Sequence, residues 1–370
     1  MIVVVMIMKI SFEKAGSFIR PLLLISLFIW SMAEAGEISG AVSDAAERCL
    51  ETVIPSLYAV MIFSVMLMKS GVLPALSKYT AGVGKFLFGM DAEIFPMFVF
   101  GTFAGYPAGA KMLTMMRCSG DEEKRRRELF AGVCFGAGPA FVHGCISGKL
   151  YGNSSAGAII IISCVSANVI MALVLSAFMR KNCRNAFSAK NIRISAETIN
   201  DSVISAGDSL VSVCLMICAF SVVGKLLELS GGISAAAGAV SALTGRSRET
   251  AGAMVLSVLD ITSAEKLPAG DYSLLPFIAG LVSFGGVCVI FQISAIMSGE
   301  LSVRPLIVCR IAAAFISGGV CRVIMGFVLE GEAVPAAAVE VHREASPVPS
   351  VMLMLMTLAV CAEAEKVKIK

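Results

Sequence analysis

The chain has 370 residues, 57% of them hydrophobic and 15% charged, with a mean hydropathy of +0.85 and a formal charge of +3. That balance excludes a soluble enzyme with a single anchor and describes a polytopic, multi-pass helical membrane protein whose main partner is the lipid bilayer. The small net charge carries no signal for nucleic acid. The twelve cysteines include no CxxC pair and mostly sit inside apolar runs, so they suggest no disulfide framework, metal centre or cofactor.

In chain order, residues 1–8 are too short to span. Lys9, Lys14 and Arg20 precede an apolar run at 21–33, which predicts a first membrane helix over 17–36 with a cytoplasmic N-terminus. Ala33-Glu34-Ala35 also fits a cleavable signal peptide, and the uncleaved helix is the preferred reading. Residues 37–51, with Glu37, Asp44, Glu47 and Glu51 against Arg48, read as an outer loop. A crossing follows at 53–76, and Lys78 and Lys85 return the chain inside. The segment 92–117 is apolar at both ends but carries Gly105, Tyr106, Pro107, Gly109 and Lys111 in the middle. Hydrocarbon cannot satisfy backbone groups freed by Gly and Pro, so such a break belongs inside protein or beside a wet cavity. Arg117 and the cluster from Lys124 to Arg127 also fall inside. The segment therefore enters and leaves on one face, as a re-entrant hairpin.

Crossings at 129–149 and 155–179 lead to a further basic inner loop holding Arg180, Lys181, Arg184, Lys190 and Arg193. Crossings at 203–229, 274–298 and 305–329 complete the set, with a second interrupted segment at 249–268. Arg246 and Arg248 fall on the outer side, against the rule. Residues 330–349 read as a solvated acidic loop, and 350–362 as a marginal apolar tail.

Short motifs recur in the same order. Phe63-Ser64, Ser70-Gly71, the break near Lys111 and Phe135-Gly136-Ala137-Gly138 are answered by Phe220-Ser221, Ser230-Gly231, the break at 260–266 and Phe284-Gly285-Gly286. One copy starts outside and the other inside. The expected fold is all-α with two inverted repeats, each containing a re-entrant hairpin, as in secondary transporters. The domains are then an N-terminal helix (1–36), a first repeat (37–194), a second repeat (195–329) and a C-terminal loop and tail (330–370).

GYPAGAK at 105–111, GAGPAF at 136–141, LDITS at 259–263 and FGGVCVIFQ at 284–292 together resemble the sporulation integral membrane protein YlbJ (SpoVV) family of the nucleoside-recognition, or Gate-domain, group. The resemblance spans roughly 40–328. It implies a polytopic protein of endospore formers that moves dipicolinic acid from the mother cell toward the forespore. Asp260, Ser263 and Ala264 stand where that family commonly has Glu, Asn and Gly.

The chemistry of the breaks points the same way. A half-helix starting at 105–109 aims N–H groups and a positive dipole end into a cavity, and Lys111 adds a cation, which together suit a carboxylate-bearing small molecule. Lys111 snorkelling to the interface is the competing reading. Asp260, Thr262 and Ser263 lie in an apolar run. An intramembrane charge costs about 2.5–3.5 kcal/mol on insertion scales, which makes Asp260 a functional candidate that could bind a driving ion. Gly138, Ser283 and Gln292 complete the candidate substrate site, with Tyr106, Ser283 and Gln292 equally readable as packing contacts. Arg310 is expected to snorkel and His143 to pack. No HExxH, aspartate pair or Ser/His elbow supports an enzyme, so no catalytic residue is assigned. A nucleoside transporter and a non-transporting assembly or gating subunit are the alternatives; a homo-oligomer is left open.

Overall fold

In the computed structural model, residues 19–116, 120–179, 192, 194–297 and 301–328 are described. The expectations for residues 1–8, the bulk of the basic loop at 180–193 and the region 330–370 lie outside them. The described residues are helical with no strand. The helices are α1 (Ile19–Ala33), α2 (Ala35–Lys69), α3 (Val72–Phe88), α4 (Ile94–Phe103), α5 (Tyr106–Thr114), α6 (Asp121–Ala131), α7 (139–151), α8 (Ser154–Met179), α9 (Ala196–Leu229), α10 (Gly232–Thr244), α11 (Arg248–Leu259), α12 (Leu275–Phe284), α13 (Gly286–Met297) and α14 (Arg304–Val328). Five stretches are long and apolar enough to cross a bilayer: α2, α8, α9, the α12–α13 run and α14. Their outward positions carry large apolar side chains, such as Val211, Leu215, Val308, Phe315 and Phe327. Such a surface is stable in lipid and not in water, so the chain is a polytopic membrane protein.

Three expected segments differ. Residues 37–51 are not a loop: Ala35–Arg48 is helical and continues into α2 through a π-turn at Cys49–Val53. Its Ala, Glu and Arg residues are strong helix formers, so charge marks where the lipid ends and not where the helix ends. The apolar run 129–149 is not one rod. It breaks after α6 into an extended strip at 134–138 before α7 begins at Pro139. In that strip a Cβ on Gly136 would lie 2.0 Å from the Thr102 carbonyl, so glycine lets the two backbones touch. The run 274–298 is kinked where Gly285 and Gly286 take φ of 87° and 85°.

The long helices α2 and α9 pack antiparallel. Lys69 pairs with Asp201 at 3.1 Å, Ser221 Oγ donates to the Ala41 carbonyl at 2.7 Å, and Lys225 meets Glu37 at 2.7 Å. Between these ties lies an apolar seam of Ala45, Cys49, Val53, Leu57 and Met61 against Ala206, Leu210, Val213 and Ile217. The spacings of three and four residues place each set on one helical face.

Both long helices end in the same corner. Ser70 Oγ bonds the Leu67 carbonyl and accepts from Val72 N; Ser230 Oγ bonds Leu227 and accepts from Gly232 N. Gly71 and Gly231 then take φ of 79° and 75°, where only glycine sits without strain. The short helices α3 and α10 follow. After α3, buried Arg126 binds Asp91 at 3.1 Å and the Gly89 carbonyl at 3.0 Å, closing the exposed carbonyl end of that helix. Half of the basic cluster expected in a loop is thus built into the core: Arg126 and Arg127 are buried on α6. The misfit Arg246 is ion-paired with Asp271 at 2.6 Å.

Candidate binding cavity between two helix breaks

The helices α4 and α5 each span about 15 Å, from ten and nine residues at 1.5 Å apiece, half of a bilayer core. They fold onto one another around Ala104–Gly105, with Gly105 at φ 97°. Gly101 and Gly109 face each other at the contact, and the Cys134 carbonyl fills the space where a Gly109 Cβ would fall, 2.0 Å away. Pro107 sits in the first turn of α5, where its missing N–H costs nothing. In the other half of the chain, α11 stops at Asp260, whose backbone is extended, and a 3₁₀ turn runs from Ile261 to Lys266. Asp260 Oδ1 accepts from Thr262 N at 3.1 Å and Oδ2 from Thr262 Oγ1 at 2.5 Å, a local cap that holds the break open.

The two breaks meet. Tyr106, Pro107, Asp260, Ile261 and Thr262 line one cavity of about 30 Å³, together with Gly138, Gln292 and the apolar side chains Val53, Leu57, Phe141, Val213, Ile217 and Val289. That volume holds about one water molecule. Each break is also approached by a glycine from its own half. Gly138 lies beside Gly105, and a Cβ on Gly286 would sit 3.2 Å from Ile261 N. Helix α13 packs on α5, and α7 packs on the 3₁₀ turn, so the segment after each break supports the opposite break.

Asp260 also borders a second, larger cavity of about 330 Å³. This vestibule lies between the first turns of α2 and the last turns of α9. Its polar lining includes Glu37, Asp44, Arg48, Lys225, Glu228, Ser263 and Lys266. At the other end of α2, Lys111 borders a cavity of about 10 Å³ lined by Met61, Ser64 and Met115 among others.

The sequence-derived site residues divide accordingly. Tyr106, Pro107, Gly138, Asp260, Thr262 and Gln292 share the inner cavity, and Ser263 joins Asp260 in the vestibule. Gly105 is the hinge itself. Gly109 is buried against Cys134 and serves packing. Lys111 is apart from the inner cavity: it lies a turn and a half beyond the break, and its ammonium binds the Ser205 carbonyl at 2.8 Å and Ser209 Oγ at 2.5 Å on α9. It neither joins the tip nor snorkels. Ser283 is buried behind the cavity, its carbonyl accepting from Arg310 at 3.3 Å and its Oγ without a hydrogen-bond partner among the described residues. Tyr106 keeps its ring in the cavity but donates its hydroxyl to the Val282 carbonyl at 2.7 Å.

Other residues placed near the cavities escaped the sequence reading. Arg310, expected to snorkel, is fully buried, because its guanidinium lies 4.7 Å over the Phe135 ring and donates to Asn168 Oδ1 at 3.0 Å. Asn168 Nδ2 in turn donates to the Phe135 carbonyl at 2.7 Å, which fixes the extended strip behind Tyr106. Two polar residues in the middle of apolar runs were the available signal. Arg48, half-buried in the vestibule wall, meets Glu265 at 3.6 Å, and its buried Nε has no hydrogen-bond partner among the described residues. It is the one basic residue among the acids of 37–51, and that contrast could have marked it. His143, expected to be packed, is an exposed position, with its ring edge near Gly157. Ser147 is occupied by the Asn153 carbonyl and the Gly157 N–H.

No family model, curated protein or solved structure matches the chain.

Proposed function

We propose that this protein is a secondary transporter for a small organic anion, built from two inverted repeats that each contribute a re-entrant hairpin. The observation that carries the reading is the shared cavity: two helix breaks, far apart in sequence, line one small space inside a membrane protein. A lipid-embedded fold that only needed stability would keep these helices continuous. Inversion is supported by the antiparallel pairing of α2 with α9 and by the matching Ser-Gly corners that end them. Alternating access follows naturally. Space of about 330 Å³ opens toward Asp260 on one side, against about 10 Å³ beside Lys111 on the other.

The anion is favoured by the N-terminal end of α5 at the break and by the positive charge of Arg48 in the vestibule wall. The resemblance narrows the class to an aromatic dicarboxylate of the dipicolinate kind and places the protein in the mother-cell-derived membrane of a sporulating cell. One observation favours the nucleoside alternative. No basic side chain lines the inner cavity, whereas Asp260, Thr262 and Gln292 offer hydrogen-bonding groups beside Tyr106 and Phe141. Counterflow of labelled dipicolinate into proteoliposomes, with unlabelled nucleosides as competitors, separates the two. Saturable dipicolinate exchange insensitive to nucleosides is expected. Nucleoside exchange without dipicolinate movement would reverse the assignment, and a protein that exchanges neither is a structural subunit.

A further inference from the structure

We infer that Asp260 is the proton carrier of this transporter, so that solute movement is coupled to protons and not to sodium ions. The inference rests on the transport reading above. Asp260 is the residue that borders both the vestibule and the inner cavity, and it is 4% exposed. Among the described residues its carboxylate accepts from Thr262 alone and takes part in no ion pair.

The charged and titratable groups around it are already engaged or are neutral. From α2, Arg48 is turned to Glu265, with Glu37 and Asp44 farther along the vestibule wall. From α9, Lys225 is held between Glu37 and Glu228. From its own segment, Glu265 is shared by Arg48 and Lys149, and Lys266 is exposed. The thiols of Cys49 on α2, Cys145 on α7 and Cys288 on α13 complete the surroundings. A buried carboxylate without a matched cation is stable when a small cation neutralises it.

The lining decides which cation. The side-chain oxygens free to face the inner cavity come from Asp260, Thr262 and Gln292, and the other lining side chains are mostly aliphatic and aromatic. A hard metal cation takes roughly six oxygen ligands, more than these side chains supply. A proton needs one carboxylate oxygen and a water to deliver it, and the cavity of about 30 Å³ has room for that water. In the cycle, a hydronium ion in the vestibule gives its proton to an Asp260 oxygen and leaves as water. The neutral acid then sits in the apolar cavity with the solute. When the opposite face opens, water takes the proton and the carboxylate is restored.

The test uses the full-length protein in proteoliposomes with dipicolinate as solute. An imposed pH gradient without sodium should concentrate dipicolinate, and a protonophore should abolish the accumulation. In Asp260→Asn, whatever counterflow remains should no longer follow the pH gradient, while Asp260→Glu should restore the response. In parallel, infrared spectra of the protein in detergent should show a protonated-carboxyl band that titrates with pH and is missing from Asp260→Asn. Accumulation that ignores the pH gradient, that requires sodium, or that persists in Asp260→Asn would overturn proton coupling while leaving transport intact. A wild-type infrared spectrum without the band would overturn it independently of any flux. If the wild type exchanges no solute at all, the transport reading falls and the coupling falls with it.

Discussion

Arg310 shows how a buried charge is managed here at the scale of one residue. Among the described residues its guanidinium meets no carboxylate, only the Asn168 amide, the Ser283 carbonyl and the Phe135 ring. Removing the charge and removing its partner should therefore differ. Asn168→Leu strands the guanidinium and the Phe135 carbonyl together and should cost about 3–5 kcal/mol. Arg310→Met removes the charge itself and should cost less, since it deletes the desolvated group along with its bonds. Thermal unfolding in detergent reads the order, and a larger loss in Arg310→Met would contradict it. Glycine acts by a different mechanism. A methyl at position 109 meets the Cys134 carbonyl, so Gly109→Ala should lose about 1–3 kcal/mol from overpacking, seen as a lower melting temperature. Gly105→Ala places a side chain at φ 97° and ψ 155°, a region held essentially by glycine alone, and should cost about 1–3 kcal/mol at the hinge, with the same readout.

At the scale of elements, Lys111 ties α5 to α9 and does not reach the inner cavity. Hydrogen bonds from a charged group contribute about 1.5–3 kcal/mol. Lys111→Gln should accordingly lower thermal stability and leave the half-saturating concentration of dipicolinate unchanged. A raised half-saturation with unaltered stability would return Lys111 to the substrate site, where its nearness in sequence to the break first suggested it. The same contrast explains α6 and α2. Runs of charge there looked like loops, yet Arg126 is an internal strut and residues 37–48 are helix. Charge density reports contact with water or with a partner, and a partner can be internal.

At the scale of the molecule, the vestibule and the Lys69–Asp201 pair lie at opposite ends of α2. In the proposed topology, which follows the distribution of Lys and Arg in the loops, the first is outside and the second inside. In a background without native cysteines, Gly40→Cys should react with a membrane-impermeant maleimide in intact cells, and Asp201→Cys only after permeabilisation. A Gly40→Cys that reacts only after permeabilisation would remove the vestibule as an outer entrance, and labelling of both from outside would remove the inverted arrangement.

Much of this was legible along the chain. Three of the five crossing stretches, α8, the α12–α13 run and α14, end within a few residues of the apolar runs that announced them, because hydrocarbon imposes length and apolarity locally; α9 begins at Ala196, ahead of its run at 203–229, and α2 covers Ala35–Lys69 where 53–76 was expected. Both helix breaks were readable for a similar reason: Gly, Pro and Asp inside apolar segments have no local partner in lipid. The run 129–149 misled because glycine can mean either close packing or a break, and only the backbone of α4 lying against Gly136 decides which. The amino-acid order by itself determined that the chain crosses a membrane and where its helices falter. Tertiary packing decided that Tyr106 and Asp260 face one cavity, that Lys111 and Gly109 do not, and that Arg310 finds its partners inward, because each of these depends on segments that are distant in sequence and brought together only by the fold.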